Sequence, residues 1–357
     1  MMPITGRKHV RKLLAALLLF PLLAACSSLG GERSPETAAI DPPPAELEQE
    51  MVNAAADPAM APLASDTDGL TVYLQDSNGF VAPMTLRLSA DESDKTMEEQ
   101  ALSWMTSGTT VADQLPTGFK PILPKDASVR SVQKDDKTAT VTIDFGKSFP
   151  NLPANQERKA VEALVWTMTE LPGVHQVKFT VDGKALRELP ASKLPIDEVM
   201  SRAMGINVEQ ASGLKPSRSM AVTLYFAARS TDGEGYFVPV TRLIDRQPDK
   251  NRAALEELIK GPLNSNILKP VVASNITVDK LAVSSDLLSV SLKDASWEPE
   301  MLVPAETVQA MVLTLTEVSG DSKIKLAING SESFTDTNET TYAEPISRPI
   351  AINAVEQ

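Results

Sequence analysis

Cys26 is the single cysteine of the 357-residue chain and closes the tetrapeptide Leu23-Ala24-Ala25-Cys26. A basic stretch (Arg7, Lys8, Arg11, Lys12) and an apolar run from Leu13 to Leu22 precede it. That order is a secretory signal ending in small residues before a thiol. The chemistry it serves is cleavage between Ala25 and Cys26 and attachment of lipid to the new terminal cysteine. The apolar run is about half of the ~20 residues that a spanning helix needs, so the expectation is a chain anchored to a membrane and not threaded through it.

The remaining inventory excludes most catalytic chemistry. Once Cys26 is acylated and His9 is removed with residues 1–25, His175 is the only imidazole left. A Cys/His zinc site then has no ligands, and a Cys-His or Ser-His-Asp arrangement could be built only around His175. Its context, Pro172-Gly173-Val174-His175-Gln176, reads as an exposed connector between a helix and a strand. There is no Gly-rich phosphate loop and no HExxH, so no metal and no cofactor are expected. Paired carboxylates need no other residue type, and a hydrolase of that kind would use Glu170 with Asp144. Glu317 stands where a second copy of Glu170 would, but Lys293 stands in the place of Asp144, so the pair is not a property of the repeated unit described below. The sequence therefore reads Glu170 and Glu317 as solvated helix-end glutamates, Asp144 as a strand-edge aspartate, and the protein as no enzyme. Trp104 and Trp166 fall on predicted helices as core or flank residues, which with Trp297 leaves few aromatic side chains to grip sugar rings.

Removing residues 1–25 takes away four positive charges and no negative one, so the formal charge of −13 becomes −17. Nucleic acid is a poor partner for such a body. From Cys26 to Asp68 the chain is rich in Pro, Ala and Glu around Pro42-Pro43-Pro44, the composition of a flexible tether.

The elements that would position these residues come in two copies. Thr71-Val72-Tyr73-Leu74 returns as Thr223-Leu224-Tyr225-Phe226, and Gly79 to Thr85 as Gly235 to Thr241. Val161, Leu164, Val165, Met168 and Leu171 map at an offset of 147 onto Val308, Met311, Val312, Leu315 and Val318. Those spacings form one face of a helix in both copies. Each helix runs toward a glycine suited to a left-handed cap, Gly173 or Gly320. An alternating strand follows, then Asp182-Gly183 or Asn329-Gly330, dipeptides that favour a tight turn. Even the tails agree, Ser201-Arg202 with Ile206-Asn207 matching Ser347-Arg348 with Ile352-Asn353 at an offset of 146. Each unit reads strand, strand, helix, strand, strand, helix, strand. The fold class expected is α+β, two repeated sandwich domains, each a small sheet with two helices on one face. The divisions are 1–25 signal peptide, 26–68 lipidated cysteine and tether, 69–207 first domain, 208–219 linker and 220–357 second domain. Read as independent domains, the copies should each melt alone.

Three elements together resemble the GerMN domain: the strand pair with its Pro-x-Thr, the Ala-Leu helix ending near Gly261-Pro262 in the second copy, and the Thr-x-Thr-Glu helix leading to a strand and Asp/Asn-Gly. In tandem behind a lipidated cysteine they resemble the GerM-like lipoprotein family of sporulation and spore germination. Gly108-Thr109 in the first copy and the missing proline after Val318 in the second depart from the pattern in loops only. The resemblance implies a binding or assembly module on the extracytoplasmic face of the cell membrane. Its partners would be other sporulation or envelope proteins at the boundary of mother cell and forespore, with no catalytic residues to carry over. The alternative is a protein that binds peptidoglycan or remodels it with carboxylates.

Overall fold

The computed structural model describes residues 69–87, 94–109, 115–320 and 323–355, which all fall in one compact unit. Cys26, the Ala25–Cys26 cleavage point and the tether lie outside the described residues. Among the described residues no helix is long and apolar enough to cross a membrane.

The first repeat runs β1 (Gly69–Gln75), β2 (Val81–Arg87), α1 (Met97–Trp104), β3 (Val129–Asp135), β4 (Thr140–Phe145), α2 (Ala154–Met168), β5 (Gln176–Val181) and β6 (Lys184–Ala185). A two-residue strand, β7 (Glu209–Gln210), leads into the second repeat. That repeat follows the same order: β8 (Ser219–Arg229), β9 (Gly235–Asp245), α3 (Lys250–Lys260), β10 (Thr277–Ser284), β11 (Leu287–Lys293), α4 (Ala305–Ser319) and β12 (Lys323–Ile328). Three short strands close it, β13 (Phe334–Thr335), β14 (Thr341–Tyr342) and β15 (Ile346–Ser347).

In each repeat the strands divide between a hairpin and a sheet. β1 pairs with β2 and β8 with β9, whereas the sheets run β3-β4-β5-β6 and β10-β11-β12-β15. β4 and β5 are parallel, as are β11 and β12, because a helix carries the chain back across the sheet between them. Val181 pairs with Lys184 around Asp182-Gly183, whose φ values of 51° and 75° are those of the turn that the dipeptide favours.

Two local expectations change. Gly320 caps α4 with a left-handed φ of 73°, but α2 stops at the C-cap Thr169, before Gly173 is reached. Pro172 cannot donate to a helical carbonyl and disfavours helical geometry at Leu171, which brings the end forward. The long helices are also more than amphipathic: every residue from Ala160 to Met168 and from Thr307 to Thr316 is buried. Their second face includes a threonine that meets a hairpin backbone. The Tyr73 N–H donates to Thr167 Oγ1 at 2.8 Å, and the Tyr225 N–H donates to Thr314 Oγ1 at 3.0 Å. The helix thus covers the outer edge of β1 or β8, an edge that would otherwise be open to another strand.

Buried apolar side chains of both repeats form one continuous cluster, which includes Trp104, Trp166 and Trp297. His175 is the exposed connector that the sequence indicates.

Candidate functional site

The inner strands β2 and β9 lie against each other, and each carries a proline at the matching place, Pro83 and Pro239. A proline has no N–H to donate, so these edges cannot zip into a common ladder. Two asparagines bridge them. Asn207 Nδ2 donates to the carbonyls of Val81 at 2.7 Å and Pro239 at 2.8 Å, while its Oδ1 accepts from the Val81 N–H at 2.9 Å. Asn353 repeats the pattern with the Pro83 and Phe237 carbonyls, at 2.7 and 2.9 Å, and the Phe237 N–H at 2.8 Å. Both asparagines take φ values near the left-handed region, 45° and 53°, which this residue type tolerates.

The tails that carry these asparagines cross between the repeats. The Thr241 N–H of the second repeat donates to the Ile206 carbonyl at 2.8 Å, and the Thr85 N–H of the first donates to the Ile352 carbonyl at 3.1 Å. Each threonine hydroxyl accepts from the same tail, Ile206 N–H to Thr241 Oγ1 and Ile352 N–H to Thr85 Oγ1, both at 2.9 Å.

Deeper in the junction, two arginines and two glutamates meet. Arg202 bonds Glu170 of its own repeat and Glu317 of the other, the latter at 2.7 Å. Arg348 mirrors it with Glu317 at 3.0 Å and a longer approach to Glu170 at 3.9 Å. The remaining donors are also matched. Arg202 donates to Thr169 Oγ1 and the Trp166 carbonyl, and Arg348 to Thr316 Oγ1 and the Leu313 carbonyl. Arg202 lies 4.6 Å from the Trp166 ring centroid, and Arg348 lies 5.8 Å from that of Tyr225, whose hydroxyl oxygen accepts from it at 3.1 Å. Burial works to raise the Glu170 carboxyl, but Arg202 and Arg348 outweigh it and hold the group below the ordinary carboxylate range. Burial likewise pushes the Tyr225 hydroxyl up to about 12. Glu170 therefore stays ionised in a cluster of two arginines and two glutamates.

These placements correct the reading of Glu170 and Glu317 as solvated. Their side chains are only 15% and 10% exposed and are spent on holding the repeats together. Asp144 is not at a strand edge either, since β4 lies inside its sheet. Its carboxylate accepts from Thr180 Oγ1 at 2.5 Å and from the Gly183 N–H at 2.8 Å, and pairs with Arg130 at 2.5 Å. Those two hydrogen bonds hold its carboxyl low. Lys293 pairs instead with Asp279 at 2.7 Å. The structure thus ties Glu170 and Asp144 into separate networks. The junction residues missed by sequence reasoning are Asn207, Asn353, Arg202 and Arg348. They were visible as matching tails, but repetition alone does not say what a tail touches.

Asn207→Asp tests the bridge, because it keeps the shape and turns a donor toward two carbonyls into a second acceptor. Loss of these bonds and exposure of buried carbonyls to a carboxylate should cost about 3 kcal/mol in urea unfolding. A change under about 0.5 kcal/mol, the size of an ordinary surface substitution, would contradict the assignment.

The family described as Germane, sporulation and spore germination, matches residues 71–187 and 223–334. The spore germination protein GerM of Bacillus subtilis (strain 168) is 33% identical over 303 residues, covering 83% of this chain and 81% of that protein. The solved structure of the tandem GerMN domains of the sporulation protein GerM from Bacillus subtilis matches with a TM-score of 0.70 and 31% identity. It covers 80% of this chain and 99% of that one. On two matched segments and a tandem relative of the same architecture, this chain belongs to the Germane family of sporulation and spore germination proteins.

Proposed function

We propose that the protein is a membrane-anchored, extracytoplasmic lipoprotein without enzymatic activity. It acts in sporulation and spore germination as an assembly module for a complex between mother cell and forespore. The observation that carries this reading is the use made of the carboxylates: Glu170, which a hydrolase would keep free beside Asp144, is instead bound with Glu317 by Arg202 and Arg348. A repeated unit whose shared junction residues serve its own cohesion supports a rigid scaffold. Membership of a sporulation and spore germination family supports a role in the spore-forming programme. The test is a crosslinking pull-down from sporulating cells with a wall-sedimentation assay beside it. Capture of an extracytoplasmic protein supports the assembly reading, while sedimentation with bare peptidoglycan and no protein partner would overturn it.

Anchoring is tested separately. A fatty acid analogue should label the wild type and not Cys26→Ala, and the variant should leave the membrane fraction, since among the described residues no helix is long and apolar enough to hold it there. An unlabelled wild type would end the lipoprotein reading.

A further inference from the structure

The repeats differ where the chain passes from the sheet to the tail. In the second repeat, the hairpin of β13 and β14 closes on its own aromatic pair, Phe334 and Tyr342, with ring centroids 5.3 Å apart. In the first, a hairpin in the same place in chain order is built on Leu189, Leu194 and Ile196 and has no aromatic residue. Beside it a cavity of about 230 Å³ stays open, floored by Val161, Met200 and Met204. That volume is below the ~300–1,000 Å³ of ordinary small-molecule sites and suits one large side chain. Two methionines let the floor adapt to its shape. Leu194 is already 41% exposed at the opening.

The charges on the rim are unequal. Arg158 is engaged by Glu162 at 2.8 Å and by the Met204 carbonyl at 3.0 Å. Outside the cavity lining, Arg187 and Lys193 of the same hairpin are paired with Glu198 and Glu188. Asp197, also on the cavity wall, is exposed and pairs with no group among the described residues. The unspent charge at this opening is therefore negative.

We propose that this cavity is a docking site for a partner protein, receiving one large aliphatic side chain whose neighbouring residue is a lysine or arginine facing Asp197. The proposal rests on the assembly reading and supplies its contact point. In the second repeat Phe334 and Tyr342 meet within the corresponding hairpin, so the two repeats differ at this place.

The probes are three blocked dipeptides, N-acetyl-leucyl-lysine amide, N-acetyl-leucyl-glutamate amide and N-acetyl-alanyl-lysine amide, titrated into the full mature chain labelled at its methionine methyls. The leucyl-lysine peptide should shift the Met200 and Met204 signals saturably. The leucyl-glutamate peptide should bind about fivefold more weakly, the worth of one exposed ion pair. The alanyl peptide should leave both signals in place. Asp197→Lys, an exposed change that spares the fold, should reverse the preference between the two leucyl peptides. No shift at either methyl up to about 20 mM, or equal binding of both leucyl peptides in wild type and variant, would overturn the proposal. A cellular partner captured equally by wild type and Asp197→Lys would keep the assembly reading and remove this site from it.

Discussion

A chain carrying Leu164→Asp should show no folding transition in a calorimetric scan, and Met311→Asp should behave in the same way. Leu164 is fully buried and Met311 is 1% exposed, in the middle of α2 and α4, so each substitution places an unpaired carboxylate where no cation can reach it. That costs several kcal/mol, comparable with the ~5–15 kcal/mol that holds an ordinary domain together. Independent domains would lose one transition and keep the other. The structure supports joint loss, because the apolar cluster is continuous and the tail of each repeat supplies hydrogen bonds to the other. A surviving transition with about half the enthalpy in either variant would show that the repeats stand alone.

The second large effect concerns the buried charges. Arg202→Leu should cost about 3–5 kcal/mol in urea unfolding, since it leaves Glu170 and Glu317 in a low-dielectric site with only Arg348 to answer both. A neutral junction, with Glu170→Met, Arg202→Leu, Glu317→Met and Arg348→Leu combined, should recover most of that loss. In that variant no charge is left without a partner. If the combined variant falls further than the single one, the ion cluster is itself a net source of stability. The effect of pH has a fixed sign. The folded-state carboxyl of Glu170 is lowered, so its contribution is present above the unfolded value of ~4.3 and is lost as pH falls through the lower folded value. The wild type's advantage over Glu170→Gln should therefore fade in acid and not in mild alkali. His175→Ala, at an exposed connector, serves as a control and should move stability by less than about 0.5 kcal/mol.

The fold was legible wherever the information was local. The period of Val161, Leu164, Val165 and Met168 identified a buried helix face, and Asp182-Gly183 marked a tight turn. The offsets between copies announced two units of one plan. Legibility failed where a residue's fate depends on distant parts of the chain. Glu170 looks solvated because its sequence neighbours form a helix end, while its partner Arg202 lies 32 positions on and its neighbour Arg348 belongs to the other copy. Thr167 and Thr314 lie off the apolar stripe that the spacing identifies, yet their hydroxyls receive strand N–H groups. The internal repeat held one usable signal. Tyr73, Pro83, Thr85, Thr167, Glu170, Arg202 and Asn207 recur identically as Tyr225, Pro239, Thr241, Thr314, Glu317, Arg348 and Asn353, and all fourteen lie at the junction or directly behind it. In the sheets, by contrast, such pairs as Asp144 and Lys293 were free to diverge.

Strand β2 has β1 on one side, with Gly69 opposite Arg87, and on the other side the end of the chain, with Ala354 running parallel beside Thr85. Since β1 is antiparallel to β2, Gly69 and Ala354 lie toward the same end of that strand, about two strand spacings or ~10 Å apart. A few residues could join them, while the exposed segment between Gln210 and Ser219 could be opened instead. Every contact of the junction would survive in that circularly permuted chain. The contacts of the junction therefore do not depend on the order in which the two repeats are translated.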